Sequence, residues 1–146
     1  MSKLLKVVVF VAALTLLLTV AAYPITTTTT QVGTNGNDTL SGDAAQNYIE
    51  GLRGNDQIKG NGDADSLSGG PGRDNMDGNR GNDFMTGGDG RDNISGGFND
   101  DTINAADREE DAVFCGPGYD VALVDEQEST SGCEEEYYRG SYVPKK

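Results

Sequence analysis

Beyond residue 32 the apolar side chains are few and evenly spaced. Leu40, Ile49, Ile58, Leu67, Met76, Met85, Ile94 and Ile103 recur every nine residues, each set between mostly polar neighbours. One aliphatic in nine residues suits a very short strand that points a single side chain inward. Two more columns keep the same step. The first position of each nonapeptide is Gly33, Gly42, Gly51, Gly60, Gly69, Gly78, Gly87 and Gly96, and the sixth is Asp38, Asn47, Asp56, Asp65, Asp74, Asp83, Asp92 and Asp101. Glycine also fills most fourth positions, as Gly36, Gly54, Gly72, Gly81 and Gly90. Glycine at the first and fourth positions is expected to supply the positive φ angles of a tight repeating turn. Strands this short cannot stand alone. Stacked as a solenoid, each pairs with its equivalent in the next coil, and the lone aliphatics join into a narrow continuous core.

Stacking identical turns also brings the sixth-position aspartates into a row, with glycine-turn carbonyls aimed at the same place. Like charges that close cost free energy unless something neutralises them. A hard dication taking six to eight oxygen ligands meets the need, and calcium tolerates irregular carboxylate and carbonyl geometry better than magnesium. The unit Gly-Gly-x-Gly-x-Asp-x-aliphatic-x, seen most clearly in Gly69 to Asp77 and Gly87 to Ser95, resembles the haemolysin-type (RTX) calcium-binding nonapeptide repeat of secreted bacterial proteins. The resemblance covers about half the chain. It implies an all-β fold, a parallel β-roll in which two nonapeptides make one coil and calcium sits between turns eighteen residues apart. Carried onto this chain, it names Asp38, Asp56, Asp65, Asp74, Asp83, Asp92 and Asp101 as metal ligands, with backbone carbonyls near Gly51, Gly60, Gly69, Gly78, Gly87 and Gly96. Roughly five calcium ions are expected on that basis.

Alternate repeats would line opposite sides of such a roll, and the two sides differ. The turns at Gly33, Gly51, Gly69 and Gly87 keep the glycine and acid positions. Opposite them, the turn at Gly42 has Ala45 and Asn47 in place of glycine and aspartate, while Asp63 and Asn99 replace the fourth glycine of two others. Asn99 tolerates the left-handed region; Ala45 is expected to be strained. A site built on Asn47 is therefore expected to be weak or empty.

The chain begins with Lys3 and Lys6, an apolar run from Val7 to Ala22, and then Pro24. Small residues at Val20–Ala22 suit signal-peptidase cleavage after Ala22. An uncleaved anchor is the competing reading, but the run falls short of the roughly 20 residues that span a bilayer. Residues 1–22 are thus read as a signal peptide and 23–32, with threonine from Thr26 to Thr30, as a polar spacer rather than an edge strand. The repeats occupy 33–104. Beyond them the register slips by one residue: Asp111 and Val113 resume the acid-x-aliphatic pattern, and Cys115 to Asp120 copies Gly69 to Asp74. Solenoid ends need covering, so 105–136 is read as a degenerate repeat and cap, and 137–146 as a tail. Two cysteines, Cys115 and Cys133, in an exported chain read as one disulfide pinning that cap. A reactive or metal-binding thiol pair is the weaker alternative.

Charge narrows the partners. The chain carries −13, and removing residues 1–22 takes away Lys3 and Lys6 and no acid, leaving −15. Such a chain repels phosphate, which excludes nucleic acid as a partner. With 21 glycines and no tryptophan it sits near the composition of a disordered polymer, so bound cations must support its fold. There is no histidine, hence neither the commonest zinc ligand nor the usual general base. Glu134 to Glu136 and the pair Asp107 and Glu109 read as solvated charge rather than acid/base machinery, and no catalytic domain fits beside roll and cap. The expected function is that of a secreted, extracellular calcium-binding protein, not an enzyme, with no membrane span after signal cleavage. The competing class is a surface adhesion or matrix protein in which calcium is structural mortar. The ninth column, Ser41, Glu50, Lys59, Ser68, Asp77, Thr86, Ser95 and Asn104, is polar and unpatterned, which favours the first.

Overall fold

The computed structural model describes residues 28–126 and 128–138, and the proposed signal peptide lies outside them. One sheet holds seven strands: β1 (Thr29–Val32), β3 (Asn47–Glu50), β5 (Ser66–Ser68), β7 (Phe84–Thr86), β9 (Thr102–Asn104), β11 (Val121–Val124) and β13 (Glu135–Tyr138). The other holds six: β2 (Thr39–Ser41), β4 (Gln57–Lys59), β6 (Asn75–Arg80), β8 (Asn93–Phe98), β10 (Ala112–Phe114) and β12 (Ser129–Ser131). Odd and even strands never share a sheet, and every pairing is parallel. Two nonapeptides therefore make one coil, and the described residues form a parallel β-roll without helices.

The eighteen-residue register holds through the array: Ile49 pairs with Leu67, Leu67 with Met85, Leu40 with Ile58 and Ile58 with Met76. Each three-residue strand turns its middle side chain inward, because successive side chains alternate across a sheet. Ile49, Ile58, Leu67, Met76, Met85, Ile94, Ile103 and Val113 form one buried cluster, with Leu40 packed against its end. The core is one side chain wide per strand. At about 1.5–3 kcal/mol per buried aliphatic, it is thin for holding together an array that carries so much like charge.

Two boundaries move. Thr29–Val32, expected within a spacer, form β1 and cover the edge of β3 in register, Thr29 with Asn47 and Val32 with Glu50. β-Branched threonine suits a strand, and an otherwise open edge at β3 gives it a partner. At the other end Tyr137 and Tyr138, expected in the tail, belong to β13 and pair with Leu123 and Val124. The register slip is present as read: Asn93 pairs with Ala112, and Thr102 with Val121.

Cys115 occupies the first position of its repeat and is bonded to Cys133, eighteen residues on, with their Cα atoms 5.1 Å apart. The bond thus joins two successive coils at the position where the array carries glycine. Replacing both by serine, or reducing the bond, should lower stability by about 2–4 kcal/mol. Urea unfolding of the calcium-saturated chain would read that loss, and an unchanged midpoint would show that the cap folds without its staple.

Candidate calcium-binding turns

The turns between sheets account for the sequence motif, with one correction. The glycines that take positive φ sit at the second and fourth positions, such as Gly70 at 106° and Gly72 at 155°, and not at the first. First-position glycine is required for space instead. A Cβ on Gly51 would strike the Asp56 carboxylate and lie 2.6 Å from the Gly69 carbonyl oxygen of the next coil, and Gly69 stands in the same relation to Asp74 and Gly87. Most first glycines therefore mark a spot where a carboxylate of their own turn and a carbonyl of the next coil converge; Gly42 faces the Asn47 amide instead, and Gly87 meets Asp92 and the Ile94 side chain. Where the second or fourth position is not glycine, asparagine or aspartate mostly takes over, as at Asn61, Asp63, Asn79 and Asn99. Leu52 also takes positive φ, at 77°, whereas Thr34 and Ala45 at such positions do not.

The sixth-position side chains form two ladders. On one side the backbone N–H of Asp38 donates to Asp56 Oδ1, Asp56 to Asp74, Asp74 to Asp92 and Asp92 to Asp111, at 2.7–2.8 Å. On the other, Asn47 donates to Asp65, Asp65 to Asp83, Asp83 to Asp101 and Asp101 to Asp120, at 2.7–2.9 Å. All these acids except Asp38 are buried. Oδ1 is thus spent on holding the coils in register. Oδ2 of Asp56, Asp65, Asp74, Asp83, Asp92, Asp101, Asp111 and Asp120 is buried and has no hydrogen-bond partner.

That pattern is unusual for a folded protein. An unsatisfied buried polar atom costs about 1–3 kcal/mol, and a charged one more. Burial is also the leading influence on their acidity: it pushes the Asp74, Asp83 and Asp111 carboxyls up to about 6 and those of Asp92 and Asp101 up to about 7. Hydrogen bonds from the backbone oppose the shift, and neighbouring acids of the same ladder add to it. No three acidic side chains converge on one point among the described residues. A cation here would draw on one or two carboxylates and several carbonyls, the mixed oxygen set that calcium accepts and that softer metals do not favour. The residues present fit calcium.

The ladders place the sequence-named residues unevenly. Asp56, Asp65, Asp74, Asp83, Asp92 and Asp101 all present a free inward oxygen. Asp38 does not, because its Oδ2 accepts from the Thr34 N–H at 2.6 Å and the Thr34 hydroxyl at 2.9 Å. Asn47 turns its amide nitrogen to the Ala45 carbonyl and, at 3.2 Å, to Asp65 Oδ1. Ala45 itself escapes the expected strain. It does not take positive φ; the Asp43 side chain accepts its N–H at 2.9 Å and lets the first coil take another path. Asp111 and Asp120 belong to the ladders although they lie past the regular repeats. The one-residue slip hides them from a strict nine-residue count, but the acid-x-aliphatic spacing of Asp111 and Val113 and the Cys115–Asp120 copy carry the signal.

No helix among the described residues is long and apolar enough to cross a membrane. No curated protein and no solved structure matches this chain. The family model for the RTX calcium-binding nonapeptide repeat matches residues 32–67, 41–76 and 68–103, which together span both ladders from Asp38 to Asp101. Its repeats bind calcium and are structural rather than catalytic. Residues 32–103 are thus RTX calcium-binding nonapeptide repeats.

Proposed function

We propose that this chain is a secreted, non-enzymatic calcium-binding protein whose repeat turns take up several ions and which folds on binding them. The observation that carries the reading is the double column of buried, partner-less aspartate oxygens. Ions between successive turns would draw on Asp56 with Asp74, Asp74 with Asp92 and Asp92 with Asp111 on one side. On the other they would draw on Asp65 with Asp83, Asp83 with Asp101 and Asp101 with Asp120. Carbonyls of the next coil's first residue, at Gly69, Gly78, Gly87, Gly96 and Cys115, would complete five of the six sets, the exception being Asp92 with Asp111. Asp38, tied to Thr34, would join only by giving up those bonds. The apolar, cleavable start of the chain and the disulfide support export, where calcium is abundant and thiols oxidise.

Calorimetric calcium titration with circular dichroism followed in parallel tests the reading. Binding and strand signal should rise together, with affinities on the order of 10⁻⁴ to 10⁻³ M and a curve steeper than single-site, since neighbouring coils order one another. A chain that shows its full strand signal and melts cooperatively without calcium at pH 8 would refute the coupling.

A further inference from the structure

Both columns of acids run beyond the matched repeats and end on glutamates. Glu128 and Glu134 stand immediately before β12 and β13, the place an aspartate holds before nearly every earlier strand. Glu134 accepts the Asp120 N–H at 2.8 Å. On that side the last coil is fastened covalently, by Cys115 and Cys133. On the opposite side the hydrogen-bonded ladder ends at Asp111, with Glu128 the next acid of the column.

The Ser129 N–H donates to the Asp111 carbonyl at 3.0 Å, which sets Glu128 one coil above Asp111. Asp111 is only 2% exposed, and its Oδ2 is buried without a partner while Oδ1 accepts from Asp92. Glu128 also divides its two oxygens, but its donor lies in its own turn rather than one coil below. Its Oε2 accepts the Asp125 N–H, and its Oε1 is buried without a partner. Asp111, Asp125 and Asp107 are the charged groups that act on Glu128, and all are anionic. The only ion pair among the described residues joins Arg91 to Glu110, 3.5 Å apart and exposed, so it does not neutralise this pair.

We infer that Asp111 Oδ2 and Glu128 Oε1 hold a divalent cation, calcium in the secreted protein, which fastens the last coil on the side opposite the disulfide. The longer glutamate side chain spans a terminal coil that is shorter than those of the array, Ala112 pairing with Ser129 only seventeen positions on. Carbonyls and water complete the shell, as they do at most hard-cation sites. The cap would then carry an ion of its own, outside the Gly-Gly-x-Gly-x-Asp turns, and the roll would be closed by a covalent bond on one face and an ionic one on the other.

The inference rests on the calcium-binding reading above, and one experiment separates the two. Calcium bound per full-length chain is counted by equilibrium dialysis for the unaltered protein, for Glu128→Gln and for Glu126→Gln, an exposed neighbour. Glu128→Gln should bind one ion fewer, while Glu126→Gln should match the unaltered chain. If the unaltered chain binds no calcium, the general reading fails. If it binds several and Glu128→Gln binds the same number with the same affinities, this site alone is refuted. Should Glu128→Gln not fold, crystals of the unaltered chain grown in calcium chloride decide. An ion within about 2.3–2.6 Å of both carboxylates supports the site, whereas ions in the array with none between Asp111 and Glu128 overturn it.

Discussion

Freed of divalent cations, the chain should be most ordered near pH 4 and should lose its strand signal as the pH rises through about 6 to 7. Burial raises the carboxyls of Asp74, Asp83, Asp92, Asp101 and Asp111 to about 6 or 7 in the fold. In the unfolded chain they titrate near the ordinary aspartate value of about 3.9. A group whose folded pKa is raised stabilises the fold fully below its unfolded pKa and loses that stabilisation as pH climbs through the folded one. Two to three units correspond to roughly 3 kcal/mol for each group. Five such groups approach or exceed the about 5–15 kcal/mol that holds a typical domain together. Neutral or alkaline pH should therefore unfold the metal-free roll. Calcium should invert the profile, because it stabilises the ionised ladders and must compete with protons below about pH 5. Circular dichroism against pH, with and without calcium, checks both limbs; a metal-free chain still folded at pH 8 would overturn the account.

How far this was readable from the residues depends on which interaction writes the pattern. The aliphatic column from Leu40 to Ile103 marks the buried position of every array strand, because a core one side chain wide leaves no freedom in where that side chain stands. The eighteen-residue stacking of the aspartates follows from the same repetition. The reason for first-position glycine was not readable in this way. Positive φ and close approach both select glycine, and only the position of the Asp56 carboxylate and the Gly69 carbonyl against Gly51 tells them apart. Thr29–Val32 carry no repeat motif, and their strand depends on the free edge of β3 rather than on their own sequence. Asp38 follows a turn that keeps the first and fourth glycines, yet it is claimed by Thr34, which stands where the motif has its second glycine. Asp111 and Asp120 were hidden by a single inserted residue. Periodic packing is thus written plainly in this chain, while end effects are settled by whichever neighbour happens to be within reach.

Replacing Asp74 by alanine should weaken calcium binding far more than replacing Asn47. Asp74 lies in the middle of its ladder with a buried, unpartnered Oδ2, so on the proposed arrangement it would serve the pockets on both sides, toward Asp56 and toward Asp92. Its Oδ1 accepts the Asp56 N–H at 2.8 Å. Asp74→Ala removes an anionic ligand from two neighbouring pockets and leaves the buried Asp56 N–H without an acceptor, a loss of about 1–3 kcal/mol even before any ion binds. Because each coil orders the next, the damage should spread to neighbouring coils. At least about a tenfold loss of affinity, equivalent to 1.4 kcal/mol, is expected for the ions nearest the change. Asn47 offers no charge, and its amide nitrogen is engaged with Ala45 and Asp65. In Asn47→Ala the backbone N–H that Asp65 Oδ1 accepts at 2.7 Å is retained, and the pocket above it loses only a neutral oxygen. Its calcium affinity should stay within about twofold of the unaltered chain, roughly 0.4 kcal/mol. Parallel titrations of the two variants decide the matter. Equal harm from both would mean that the ions do not use the sixth-position carboxylates, or that they do not sit between turns eighteen residues apart.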